Sequence, residues 1–203
     1  KPNRLVFGPA LIPNRALQDR MVKDLLVQFE KMNKDVSFEI SGLFGSPLSK
    51  KTYAQDALLA SVASRMTKMM TKKWFKIFNS FADKWGKTMS TKFNKQAGQS
   101  LGASLKSLSG GLTIKSDSIS ERTNNIMISS ASEASSLIKS ISSEYLADVA
   151  EEVSRSIRDP AAGGLAKLQK RIQKNLSRRY KKTKNHAKNV ALDQTRKVFN
   201  NLN

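Results

Sequence analysis

Residues 74–93 read WFKIFNSFADKWGKTMSTKF, and this stretch decides the fold class. Large apolar side chains recur in it at spacings of three and four residues, at Trp74, Phe78, Phe81, Trp85, Met89 and Phe93. Because an α-helix has about 3.6 residues per turn, side chains at these spacings lie on one face. The stretch therefore predicts a long amphipathic helix with a wide aromatic stripe.

The opposite face of this helix is basic, with lysines at Lys68, Lys72, Lys73, Lys76, Lys84, Lys87, Lys92 and Lys95. Such a helix can pack its stripe into a bundle, bind an acidic partner, or lie on a membrane surface. We expect a bundle core, which Met66, Met69 and Met70 would extend as filler. The candidate residues for docking a partner protein are Trp74, Phe78, Phe81 and Trp85.

The same period predicts further helices on both sides of this one. A first helix begins at the N-cap Asn14 and ends near Asn33, and residues 34–49 follow as an apolar loop in which residues 36–40 could form a brief strand. The remaining predicted helices span residues 49–107, residues 119–158, a segment from Leu165 past Leu176, and residues 183–202. We therefore expect about five helices.

The fold class that follows is all-α, elongated, with long amphipathic helices and few or no strands. Gly110-Gly111, in a segment rich in glycine and serine, marks the clearest boundary. Three regions result: residues 1–48 (an N-terminal arm, helix and apolar loop), residues 49–109 (a long basic helical region) and residues 119–203 (a helical domain).

The composition argues against an enzyme. The chain has no cysteine and one histidine, so neither a thiolate site nor a histidine cluster for a metal can form. No glycine-rich phosphate loop is present, and we expect no cofactor and no small-molecule substrate. The carboxylates Glu144, Asp148, Glu151 and Glu152 are interpreted as a solvated helix face, because the sequence shows no convergent polar pocket around them.

The net charge of +20 points to a polyanionic partner. Residues 161–203 hold 12 basic and 1 acidic side chains, whereas residues 117–160 hold 4 basic and 8 acidic ones. Cations on helices bind phosphates without reading bases. The candidate nucleic-acid residues are Lys167, Lys170, Arg171, Lys174, Arg178, Arg179, Lys181, Lys182, Lys184 and Lys188. A solubilising basic face is the alternative.

Three segments carry a resemblance to a known family: LIKSI at residues 137–141, GGLAKL at residues 163–168, and HAKNVALDQT at residues 186–195. In this order they resemble the phage Mu F-like head morphogenesis family, the minor capsid proteins of tailed phages. The resemblance covers residues 119–203. It departs from the family pattern at Leu192 and His186, where the family has arginine.

The resemblance implies a minor head protein bound to the portal inside the capsid, present in the host cytoplasm during assembly. It would contact packaged double-stranded DNA and assist head assembly or DNA delivery, and other copies of itself are a further candidate partner. Two alternatives stay open: a sequence-nonspecific DNA-binding helical protein, and a membrane-active helical protein ejected with the genome. Only the last requires the aromatic stripe to be exposed.

Overall fold

A computed structural model describes residues 14–45, 55–108, 117–158 and 165–200 of the chain. Within these ranges the protein consists of four α-helices and no strand: α1 (Arg15–Gly45), α2 (Gln55–Leu108), α3 (Asp117–Arg158) and α4 (Leu165–Asn200). The all-α prediction is confirmed. The Gly110-Gly111 boundary and the N-terminal arm before Asn14 lie outside the described residues.

The first helix begins as predicted and ends later than predicted. The Asn14 side chain accepts a hydrogen bond from the backbone N–H of Leu17 at 3.1 Å, which is the N-cap interaction. The predicted end near Asn33 is wrong, because α1 continues to Gly45. Residues 36–40 are therefore helix, and Phe38 is 76% exposed. In the sequence, Phe38 alternates with Val36 and Ile40 as apolar residues do in a strand. In the structure, however, the buried residues of this segment recur with the helical period.

The last two predicted helices are one helix. α4 runs without a break from Leu165 to Asn200, so the expected interruption before Thr183 is wrong. The apolar pattern thins out there, since Tyr180 and Thr183 occupy the inward positions. The Tyr180 ring packs edge-on against Tyr145 of α3, with centroids 6.3 Å apart, and this contact holds the middle of α4 to the core.

The four helices form an antiparallel up-and-down bundle. Hydrogen bonds between helices show which helices are neighbours. Trp85 of α2 donates to Met21 of α1, and Lys139 of α3 donates to Asp83 of α2. Lys197 near the end of α4 bonds Glu133 in the first half of α3. Each helix thus packs on its sequence neighbours, and α4 also packs on α1, which closes the bundle. As a result, α2 and α4 lie at diagonal corners.

The core follows an eleven-residue repeat. Buried positions succeed one another in α1 at spacings of four, four and three residues, at Met21, Leu25, Phe29, Met32, Val36, Ile40 and Leu43. The same spacing recurs in α3, at Met127, Ser130, Ala134, Ile138, Ile141, Tyr145, Val149, Glu152 and Ser156. Eleven residues over three turns give about 3.67 residues per turn, so the pattern favours nearly straight helices with a right-handed twist.

A single hydrophobic core draws on all four helices, and it is elongated because the helices are long. Glycine shapes one of its seams: a Cβ atom on Gly86 of α2 would lie 2.8 Å from the carbonyl oxygen of Ala131 on α3. The two backbones therefore approach closely at this point. With 54 residues, α2 is about 80 Å long and is the longest of the four described helices.

Candidate nucleic-acid interface

The outward side of α4 carries a row of cations. Leu168, Ile172 and Leu176 are buried, and residues two positions away from them point to solvent. Seven of the ten predicted nucleic-acid residues are exposed, namely Lys167, Lys170, Lys174, Arg178, Lys181, Lys182 and Lys188. We call these seven the α4 basic row. None of them forms an ion pair within the described part of the chain.

The first part of the row is evenly spaced. From Lys167 to Lys181 the residues follow each other at three or four positions, so that each turn of the helix contributes a cation, and Lys182 comes directly after Lys181. At a rise of about 1.5 Å per residue, this part is roughly 22 Å long. Duplex DNA advances about 3.4 Å per base pair, so this part of the row is as long as roughly six base pairs. The only acidic residue on α4 is Asp193, beyond the row.

Three predicted nucleic-acid residues are placed differently. Arg171, Arg179 and Lys184 are half-buried. The Lys184 ammonium lies 5.9 Å from the centre of the Tyr180 ring, within the range of a cation–π contact. The Arg179 guanidinium turns towards α3, where it pairs with Asp148 at 2.9 Å and with Glu152 at 3.5 Å.

Arg179 neutralises a buried acid. Burial pulls the pKa of the Arg179 guanidinium down, but the carboxylates of Asp148, Glu152 and Glu151 together hold that pKa above its usual value. Its nitrogen atoms are thus occupied by carboxylates of the same chain. The role that the structure assigns to this arginine is to join α4 to α3.

The prediction of a solvated acidic face is wrong for Glu152. Only 4% of this residue is exposed, and its carboxylate accepts hydrogen bonds from Asn175 Nδ2 at 2.7 Å and from the Ser156 hydroxyl at 3.3 Å. Together with Arg179 these donors replace water around the charge. Glu144 and Glu151 are exposed, as predicted, and Glu151 pairs with Arg155 one turn along α3.

The aromatic stripe of α2 lies in the bundle core. Trp74, Phe78 and Trp85 are buried and Phe81 is half-buried. Trp74 Nε1 donates to Asp35 at 2.6 Å, and Trp85 Nε1 donates to the carbonyl oxygen of Met21 at 2.9 Å. Docking of a partner through the whole stripe would require the bundle to open.

Burial of the stripe also bears on the membrane alternative. That alternative needs an exposed stripe, whereas these side chains are enclosed by α1 and by other parts of the bundle. Among the described residues, none of the helices is both long and apolar enough to cross a bilayer. Of the predicted methionine filler, Met70 is buried and Met66 half-buried, but Met69 is 66% exposed, so its core assignment is wrong.

The buried polar residues that sequence reasoning missed include Gln194 and Thr195 of α4. The Thr195 hydroxyl accepts a hydrogen bond from Gln18 Nε2 of α1 at 3.1 Å and donates one to the Leu192 carbonyl oxygen at 2.8 Å. Gln194 Nε2 lies 3.5 Å from Glu133 of α3. The segment that carries the family resemblance therefore ties α4 to both neighbours. The sequence signal for their burial is that these residues fall on the inward face between Ala191 and Val198.

No group of three or more histidine or acidic side chains is arranged to hold a metal ion in residues 14–45, 55–108, 117–158 and 165–200. His186 is exposed on α4. Open grooves run between α2 and α3, with a volume of about 610 Å³, and between α1 and α2, with about 330 Å³.

Comparison with known proteins adds no relative: no family model, curated protein or solved structure matches the chain.

Proposed function

We propose that this protein is a non-enzymatic structural protein that contacts the phosphate backbone of double-stranded DNA through the α4 basic row. The observation that carries the proposal is the seven exposed cations of one helix, which have no ion-pair partner among the described residues. Cations of this kind release condensed counterions when they meet phosphates, and binding is then strongly dependent on salt.

Binding through this surface is independent of base sequence. Lysine predominates in the row, and a lysine–phosphate contact positions a helix on DNA without reading a base edge. A base-reading protein would instead present amide or guanidinium groups from a helix that enters the major groove. Within the α4 basic row, Arg178 is the sole guanidinium and the other six cations are lysines.

The biological setting we propose is the head of a tailed bacteriophage, where the chain would be a minor head protein bound to the portal. Two considerations support it. Residues 119–203 resemble the phage Mu F-like family, and the charge divides between helices: α4 holds 12 basic and 1 acidic residues, and α3 holds 4 basic and 7 acidic ones. Such a division suits a protein that lies between packaged DNA and a protein ring. The chain would assist head assembly or DNA delivery there.

The DNA contact is tested by the salt dependence of binding to a duplex of arbitrary sequence. Glutamine at Lys167, Lys170, Lys174 and Arg178 should reduce the slope of log K against log salt by about 0.9 for each phosphate that is no longer neutralised. The matched control changes four exposed lysines of the diagonal helix to glutamine, at Lys68, Lys72, Lys76 and Lys87. Equal reductions in the two variants would mean that net charge, and not the α4 basic row, drives binding.

The head placement is tested separately, by co-expression with the portal protein of the same genome. Association with the ring, seen by native mass spectrometry or cryo-electron microscopy, is the expected result. If the chain binds DNA tightly but never accompanies the ring, the head placement is wrong and the plain DNA-binding protein replaces it.

A further inference from the structure

The groove between α1 and α2 exposes apolar surface that the bundle leaves uncovered. Its volume is about 330 Å³, and it is open to solvent. Its floor is formed by Trp85 and Met21, which are only 4% and 1% exposed, and by the half-buried Phe81, and Val27 stands at its edge with 41% of its surface exposed. Trp85 Nε1 donates a hydrogen bond to the Met21 carbonyl oxygen at 2.9 Å, which orients the indole ring in the floor.

The rim of the same groove is basic. Lys23 and Lys31 of α1 and Lys84 of α2 are all exposed, and within the described residues none of these ammonium groups has an ion-pair partner. The rim includes one carboxylate, that of Asp24. The groove therefore combines an aromatic floor with an excess of two positive charges.

We infer that this groove binds an amphipathic helical segment of a partner protein, whose large apolar side chain enters between Phe81 and Val27 and whose carboxylates meet the lysines of the rim. Helix-in-groove recognition works in this way, with apolar anchors at spacings of three and four residues. Residues 21–31 of α1 extend about 15 Å, which accommodates nearly three turns of a helix laid alongside.

The two segments of the chain that flank α1 in sequence are poor occupants on charge grounds. Residues 1–13 contain two basic and no acidic side chains, and residues 46–54 likewise contain two basic and no acidic ones. Either segment would place further cations beside three lysines. Charge complementarity therefore favours a separate, acidic partner.

The groove and the DNA surface are separate. The groove lies between α1 and α2, whereas the α4 basic row points outward from the corner diagonal to α2. Both can be occupied at once, and the inference does not depend on the DNA contact.

The test uses the full chain and a fluorescein-labelled probe peptide of about 18 residues, roughly 27 Å long as a helix. The probe carries leucine along one helical face and glutamate on the flanks, and a second probe replaces glutamate by lysine. Fluorescence anisotropy should show saturable binding of the glutamate probe alone. Val27→Glu and Lys84→Glu should each weaken it by about tenfold or more.

Two control variants are matched by helix and exposure. Phe38→Glu lies on α1 like Val27, and Lys72→Glu lies on α2 like Lys84, but both residues are exposed outside the groove. Each should change the probe affinity by less than about twofold. Far-ultraviolet circular dichroism confirms that all four variants keep their helices.

Four outcomes would overturn the inference. The first is no saturable binding of the glutamate probe at about 1 mM. The second is equal binding of the lysine probe, or displacement of the glutamate probe by a single-stranded oligonucleotide. The third is stronger probe binding after removal of residues 1–13, which would make the occupant the chain itself. The fourth is a dimer in sedimentation velocity that Val27→Glu dissociates, which would make the occupant a second copy.

Discussion

Arg178 and Arg179 are neighbours in sequence, and the structure gives them opposite tasks. Arg178 is exposed in the α4 basic row, whereas Arg179 faces α3 and pairs with Asp148 and Glu152. Methionine at either position removes the charge and keeps a side chain of similar length. Arg178→Met should therefore affect DNA binding alone, and Arg179→Met should affect stability alone.

The size of the stability effect follows from the burial of Glu152. Breaking a buried ion pair typically lowers the free energy of unfolding by about 3–5 kcal/mol, because the remaining charge has neither partner nor water. Here the Arg179 side chain is 26% exposed and Glu152 keeps its hydrogen bond from Asn175. We therefore expect about 2–3 kcal/mol for Arg179→Met, and less than ~0.5 kcal/mol for Arg178→Met.

Urea denaturation followed by circular dichroism measures the free energy of unfolding. The slope of duplex affinity against salt concentration measures the DNA contact. Arg178→Met should lower the slope by about 0.9, and Arg179→Met should leave it unchanged. Adding Glu152→Leu to Arg179→Met should recover part of the stability, because the isolated charge is then absent. Equal stabilities of the two single variants, or a slope lowered by Arg179→Met, would refute the assignment.

Three further predictions concern the bundle. Gly86→Ala should lower the free energy of unfolding by about 1–3 kcal/mol, because its Cβ would meet an α3 carbonyl oxygen at 2.8 Å. Gly42→Ala should raise the free energy of unfolding by about 0.5–1 kcal/mol, because no atom lies within 4 Å of its Cβ. The opposite order of stabilities in urea titrations would contradict the close approach of α2 and α3. Tyr145→Phe should lower the free energy of unfolding by about 1 kcal/mol, since the hydroxyl donates a hydrogen bond of 2.7 Å to α1. Burial raises the pKa of Tyr145, so the absorbance change of its ionisation near 295 nm should coincide with alkaline unfolding and not precede it. The hydrogen bond from Lys197 holds the pKa of Glu133 below its usual 4.5. The ion pair therefore stabilises the folded protein above pH 4.5, and this stabilisation is lost as the pH falls through the lowered folded-state pKa. If Glu133→Gln does not flatten the curve of melting temperature against pH in this range, the pair contributes nothing to stability.

Local pattern was sufficient for the class of structure. Helical spacing in residues 74–93 and 137–157 predicted helices that the structure contains, and Asn14 was recognisable as an N-cap. The exposure of seven cations on α4 was also predictable, because Leu168, Ile172 and Leu176 define its inward face.

The spacing of apolar residues gave wrong predictions where it was equally consistent with a helix and with a loop or strand. Residues 34–45 contain alternation and two glycines, which suggested a loop or strand, and only packing against the other helices identifies Val36, Ile40 and Leu43 as one buried helical face. In the middle of α4 the apolar residues are sparse, and the ring of Tyr145, 35 positions earlier in the chain, supplies the missing contact with Tyr180.

The sequence by itself determined that the chain is helical, that it is strongly basic, and that the cations concentrate in its last part, because periodicity and charge are properties of neighbouring residues. Only the tertiary structure decided which polar side chains bind partners inside the protein. Arg178 and Arg179 are chemically identical, and so are the carboxylates of Glu151 and Glu152; one of each pair faces a partner helix and the other faces solvent. That choice depends on the relative rotation of α3 and α4, which is set by core packing between residues distant in sequence.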